Sequence, residues 1–256
     1  TYLWRQKIDG EILQIYVNEN GYVALVTTDT TYKSIITVYD QTGKQLMRNF
    51  LSTTRVIDVS ISNDNKYVAF AEMDTSGTLI KSSVKIISIE KAQTKSDESL
   101  IYSKDADTSK MIIKVKYQEK NDLICVYDDS VEIIRNNNES SFVDQNDNIT
   151  FITGDLKNSV AYIEEQQAGV FDTTSKLSII NSSSNQSYTY NFDEIAKEMY
   201  ANGNIIGVNI GTEMYFIKAN GMLIKKYTSN QEITNVLISD DLAIIIYKDR
   251  IEIINL

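Results

Sequence analysis

The chain repeats itself, and that repetition limits its fold more than any other feature. The clearest copy of the unit is Arg55–Asp74, RVIDVSISNDNKYVAFAEMD. It reads as a strand over Val56–Ser62, a polar turn over Asn63–Lys66 and a second strand over Tyr67–Met73. A third run follows at Ser83–Ile89 and a fourth at Ser99–Ser103. Alternating β-branched and aromatic residues, bounded by Asn, Asp, Ser and Gly, are the mark of strands. The second strand of each unit begins near Tyr22, Tyr67, Leu123, Val160, Ile205 and Leu242, an average spacing of about 44 residues.

That period predicts an all-β chain: a six-bladed β-propeller of four-stranded antiparallel blades, forming a single domain over residues 1–256. The blades are expected at about 11–52, 54–104, 110–145, 148–192, 195–229 and 231–256. The last unit stops after three strands, and TYLWRQKID at the start reads as a lone strand. Residues 1–9 are therefore expected to close the last blade and remove its open edge. Two irregular segments stand out. NFDEIAKEMYANG carries a helical pattern, with Asp193 as cap, Ile195, Ala196 and Met199 on one face, and Gly203 as stop. Lys91–Glu98 reads as a polar, mobile loop.

Composition excludes several function classes. A net charge of −10 with no basic cluster argues against nucleic acid, which demands clustered Lys and Arg. No apolar run of about 18 residues occurs, so this stretch inserts no helix into a membrane. There is no histidine, which removes the commonest general base, the usual metal ligand and every Ser–His or Cys–His arrangement. Cys125, the only cysteine, lies in an apolar strand and reads as a buried small hydrophobe. No catalytic motif appears, and the chain is expected not to be an enzyme.

Two polar regularities are the candidate sites. Counting back from each first turn, the first strands place Gln14, Asp58, Lys114, Thr150 and Asn235 at one position, with Lys197 or Glu198 in the irregular fifth unit. In a propeller these line the central channel, either as a ligand site or as a solvated axis. Asp29, Asp74, Asp128, Glu164 and Asp249 stand at the ends of the second strands, where they form an acidic rim. Such a rim suits Ca²⁺, which takes 6–8 oxygen ligands, or the steering of a basic partner; solvated turn residues would look the same. No metal ligand set is assigned and no cofactor is expected beyond possible Ca²⁺.

SISNDNKYVAFAE resembles the Ser-x-Asp-Gly-x-x-(apolar)-Ala turn of WD40-like and TolB-like β-propellers, with Asn65 where the glycine would stand. The Gly-His and Trp-Asp signatures of true WD40 repeats are missing. What remains similar is a group of uncharacterised propeller domains from low-GC Gram-positive bacteria, usually carried behind a membrane anchor. That resemblance implies an extracellular address, on the outer face of the cell membrane, with the anchor in an upstream segment outside this sequence.

The expected function is a non-catalytic binding or sensing ectodomain. It would present one propeller face to a protein, peptide or cell-wall ligand, as a monomer. Two alternatives remain: a structural scaffold in an envelope complex, or a carboxylate-dependent hydrolase acting on a glycan.

Overall fold

The computed structural model describes residues 3–107, 110–167 and 173–256. Among them, six antiparallel sheets follow one another along the chain, each a meander of consecutive strands. The first contains β1 (Glu11–Val17), β2 (Val23–Thr28), β3 (Ser34–Tyr39) and β4 (Gln45–Leu51). The second contains β5 (Thr54–Ile61), β6 (Tyr67–Asp74), β7 (Lys81–Ser88) and β8 (Leu100–Asp105). The third contains β9 (Lys114–Tyr117), β10 (Leu123–Val126), β11 (Val131–Arg135) and β12 (Asn138–Val143). In the fourth lie β13 (Ile149–Thr153), β14 (Ser159–Gln167), β15 (Thr173–Asn181) and β16 (Ser187–Phe192). The fifth holds β17 (Glu198–Asn202), β18 (Ile205–Ile210), β19 (Glu213–Lys218) and β20 (Leu223–Thr228), and the sixth β21 (Asn235–Ile238), β22 (Leu242–Ile246) and β23 (Ile251–Asn255).

The chain divides into two compact units, residues 1–143 and 144–256, with three sheets in each. In the first unit the second strands explain themselves. Val68 and Phe70 of β6 face the first sheet, where they meet Ala24 and Val26, while Ala69 and Ala71 face Leu123 and Cys125 of the third. A strand buried on both faces must be apolar throughout, which is why YVAFA does not alternate with polar residues. Burial of Phe70 alone is worth about 1.5–3 kcal/mol. The second unit repeats the scheme, with Ala161 and Ile163 against Ile206 and Val208, then Met214 and Phe216 against Val236 and Ala243. Where β18 meets Ile238 of the sixth sheet the residue is glycine. A Cβ on Gly207 would meet Ile238 Cδ1 at 3.0 Å.

Three expectations are corrected. Residues 3–9 form no strand, and the sixth sheet has three strands among the described residues. Trp4 instead packs against Tyr39, ring centroids 5.7 Å apart and tilted by 34°, and lies over Gly43, whose missing side chain leaves room for the indole: a Cβ there would sit 2.7 Å from Trp4 Cδ2. Apolar contact for the one Trp wins over strand pairing.

The segment from Asp193 to Gly203 is not helical; it contains β17. Its apolar face is too short to offset helix nucleation. Ala196 N–H donates to Ser175 Oγ at 2.9 Å and Lys197 N–H to Asn209 O at 2.8 Å, which hold the backbone extended.

Lys91–Glu98 is not an open loop either. A helix, α1 (Ile89–Thr94), precedes a 3₁₀ turn at Ser96–Glu98. Ser88 Oγ caps the helix by accepting from Lys91 N–H, and Ile89 and Ala92 pack into the first core.

Candidate functional site

The first-strand polar residues belong to register, and the register is bulged. β1 slips between Ile12 and Gln14, β5 between Val56 and Asp58, and β13 between Ile149 and Phe151. Gln14 thus pairs with Val26, Asp58 with Ala71, Lys114 with Val126 and Asn235 with Ile246. In the fourth sheet the matching residue is Phe151, opposite Ile163. Thr150 is the bulged residue itself, and its hydroxyl turns to Ile163 O at 3.4 Å. Counting back from the turn overshoots by one here because β13 stops at Thr153, opposite the third residue of β14, whereas β1 and β5 stop opposite the first and second residues of β2 and β6. In the fifth sheet Glu198, opposite Asn209, takes the place.

Within the first unit three of these strands meet. Asp58 Oδ1 accepts from Gln14 Nε2 at 2.7 Å and Oδ2 accepts from Val115 N–H at 3.0 Å. One carboxylate therefore ties the first, second and third sheets together. Burial raises the Asp58 carboxyl above its ordinary value, opposed by the Val115 N–H, the Gln14 amide and the Lys114 charge. Ser60 does similar work one step along, accepting from Tyr117 N–H at 3.0 Å and donating to the Tyr16 hydroxyl at 3.3 Å. The aspartate interrupts an apolar strand because it is a staple.

The acidic positions divide by partner. Asp29 accepts from the backbone N–H groups of Tyr32 and Thr31, both at 2.7 Å, which lower its pKa in that order. Asp74 is lowered by Ser76, through its hydroxyl and then its backbone N–H at 2.8 Å. Glu164 lies inside β14 rather than at its end; it accepts from Asn146 Nδ2 at 2.6 Å and pairs with Lys176 at 3.3 Å. Asp249 faces Arg250 at 3.7 Å, and Asp128 is exposed. Among the described residues no three acidic or cysteine side chains converge to hold a metal ion.

The turns between first and second strands carry a network of amides. Asn65, at φ 60°, occupies a left-handed conformation, which is why glycine would serve there. Ser62 Oγ accepts from Lys66 and Tyr67 N–H and donates to Asp64, closing the turn. Asn18 Nδ2 reaches Asn65 Oδ1 at 2.6 Å, and Asn20 Nδ2 reaches Asn63 O at 2.8 Å. On the other side Asn63 donates through Nδ2 to Gln118 O and through its N–H to Asn121 Oδ1, each at 2.9 Å. The second unit does the same onto backbone carbonyls. Lys157 N–H donates to Gly203 O at 2.7 Å, and Asn202 Nδ2 to Ile238 O at 2.7 Å.

Beside this network a cleft of about 520 Å³ opens between the second and third sheets. Its floor is the end of the second core: Ile86, Ile101, Leu123 and Ile134, flanked by Tyr67 and Tyr117. Its rim is polar: Asp64 from one sheet, and Lys120, Asn121, Asp122, Arg135 and Asn137 from the other. Arg135 Nε donates to Asp122 Oδ2 at 2.9 Å. Asn136 and Asn137, at φ 49° and 61°, make the two-residue turn between β11 and β12. In the second unit a cleft of about 280 Å³ lies between the fourth and fifth sheets in the corresponding place. Both sites were missed because they form between repeats, where no local motif lies; the signal present was the Asn-rich run RNNNES.

One buried charge was also missed. Glu72, 3% exposed, pairs with Lys85 at 2.5 Å and accepts from Thr54 and Ser83 hydroxyls at 2.9 and 3.1 Å. Cys125 is fully buried, and burial pushes its thiol up.

Solved structures with this arrangement of sheets are β-propellers. Hsv2 of Kluyveromyces lactis is 12% identical, with a TM-score of 0.63 over 96% of this chain and 75% of that one. The β-propeller domain of the Trilobed protease from Pyrococcus furiosus, described as having an open velcro topology, is 11% identical with a TM-score of 0.60 over 96% and 80%. The C-terminal WD40 domain of Sif2 is 9% identical with a TM-score of 0.50 over 96% and 81%. At these identities the likeness is one of fold, and the fold of this chain is propeller-like and all-β. No curated protein matches it in sequence. The model of the family of unknown function DUF5711 matches residues 2–256, and the chain is a member of that family.

Proposed function

We propose that the chain is a non-catalytic binding module, a single six-bladed propeller that takes its ligand in the cleft between its second and third sheets. The cleft carries this reading. It has the volume of a ligand pocket, about 300–1,000 Å³, with an apolar floor and convergent polar groups at its mouth. The channel residues support it from the other side. Asp58 spends both oxygens on neighbouring strands, and the matching residues of its unit, Gln14 and Lys114, are not carboxylates, which weighs against a paired-carboxylate hydrolase at these positions. The ligand is a component of the cell envelope, or a protein or peptide that lies there. The extracellular address rests on the resemblance carried by SISNDNKYVAFAE.

The test is thermal unfolding of the wild type and Asn137→Gly, alone, with EDTA, with millimolar Ca²⁺, and across sugars and peptides. A ligand at about 100 times its Kd adds roughly 2.7 kcal/mol to the folded state. A shift in the wild type that is lost in Asn137→Gly supports the cleft; a shift that survives the substitution refutes it.

A second reading, a scaffold module, is favoured by Leu237, Ile251 and Ile253 of the sixth sheet, which are 55–65% exposed. Its mark would be self-association or co-purification abolished by Ile251→Lys and Ile253→Lys together.

A further inference from the structure

We infer that the ligand of this cleft is an uncharged oligosaccharide, an inference that rests on the cleft being the module's binding site. The first argument is charge. The rim carries two acids and two bases: Arg135 and Asp122 neutralise one another at 2.9 Å, and Lys120 and Asp64 are of opposite sign. Nothing there draws in an ion, whereas a strongly charged ligand needs an unbalanced cluster.

The second argument is hydrogen-bond chemistry. A sugar hydroxyl donates and accepts at once, and each carboxamide supplies one acceptor and two donors in a fixed plane. Asn121, Asn136 and Asn137 stand at the mouth on tight turns, with the planar Arg135–Asp122 pair between them in sequence; Asn121, whose oxygen accepts from Asn63 N–H, offers its NH₂, and Asn137, whose NH₂ donates to Ile101 O at 3.4 Å, offers its oxygen. Behind these polar groups lie half-buried Tyr67 and Ile101, backed by buried Tyr117 and Ile86, an apolar and aromatic surface for the C–H face of a pyranose ring.

The third argument concerns what the cleft does not offer. An extended peptide gains affinity by adding to a free sheet edge. Of the strands that line this cleft, β6, β7, β10 and β11 are each paired on both sides. The edge strands β8 and β9 reach it through Ile101 and Tyr117, and there Ile101 O accepts from Asn137 Nδ2 at 3.4 Å while Tyr117 N–H donates to Ser60 Oγ at 3.0 Å, so both edges are already engaged by the neighbouring sheet.

The carboxamides and a tyrosine recur, without the charge balance. The smaller cleft of the second unit is lined by Asn158, Asn181, Asn204, Asn220, Gln186 and Tyr188, with Lys218 and no carboxylate. Carboxamides and tyrosine at an equivalent place in a second repeat match a ligand whose own units repeat.

The experiment is a titration of the isotope-labelled chain, followed by NMR of backbone and Asn side-chain amides. The probes are chitohexaose, maltohexaose, a galacturonic acid hexamer and an unrelated uncharged hexapeptide. Expected is a saturable shift of the Asn121, Asn136 and Asn137 signals with a neutral sugar. Affinity should fall at least tenfold in Tyr67→Leu, which keeps apolar packing, and in Asn137→Gly, which keeps the left-handed turn. If the charged hexamer or the peptide shifts those signals and the neutral sugars do not, the ligand class is overturned and the cleft stands. If no probe shifts them, or both variants bind as the wild type does, the inference falls together with the cleft.

Discussion

Asp58 is a charged side chain used as a three-way tie. Removing it in Asp58→Ala leaves the Val115 N–H and the Gln14 amide without their acceptors. Each half-buried unsatisfied donor costs about 1–3 kcal/mol, which urea unfolding would read as a lower midpoint with unchanged slope. Asp58→Asn is milder, because the Gln14 amide can flip to accept from the new NH₂, but it removes the titration. The sign follows from the raised carboxyl. The folded chain binds the Asp58 proton more tightly than the unfolded chain, so the contribution of Asp58 is fully present below its unfolded value and is lost as pH rises through its folded value. Asp29 and Asp74, both lowered by hydrogen bonds, act oppositely: their contribution is present above the unfolded value and fades as pH falls through the folded one. Unfolding free energies across acidic pH should therefore lose their Asp58 component, and only that, in Asp58→Asn. Glu72 is the harsher case. Lys85→Ala leaves its carboxylate buried without a counter-charge, at a cost of about 3–5 kcal/mol, whereas Glu72→Gln with Lys85→Met should recover most of the loss in the same unfolding assay.

At the scale of elements, the turns do the work of holding one sheet to the next. Asn65→Gly keeps the backbone at φ 60° and loses only the contacts from Asn18 and Asn20, while Asn65→Ala adds left-handed strain of about 1–2 kcal/mol. Thermal unfolding should rank the two in that order. Strands and turns were legible because the second strands of the first, second, third and fifth sheets are buried on both faces and the turns are rich in Asn, Asp and Gly. Bulges were not, because the inserted residue is an ordinary Leu, Ile or Thr: Leu13, Ile57 and Thr150. The missed helix α1 is six residues long and is held by Ser88 and the burial of Ile89, not by a periodic face. The N-terminal strand was a misreading of TYLWRQKID, whose Trp4 prefers the flat ground over Gly43. Since Trp4 is the only tryptophan, Gly43→Ala should displace it and red-shift the emission of the folded chain.

For the molecule as a whole, the repeat made the propeller readable, and the structural likeness agrees with it. Function was not readable in the same way. A ligand cleft between two repeats is assembled from turns some 60 residues apart, such as Asp64 and Asn121, and no contiguous motif marks it. The central claim is that the polar first-strand residues hold the sheets together while the cleft binds. Calorimetric titration of chitohexaose into Asp58→Ala and Asn137→Gly, side by side with the wild type, tests that division directly. The account predicts that Asp58→Ala, although less stable, binds within about twofold of the wild type, and that Asn137→Gly, although folded, binds at least tenfold more weakly, about 1.4 kcal/mol. Binding lost in Asp58→Ala and kept in Asn137→Gly would contradict it.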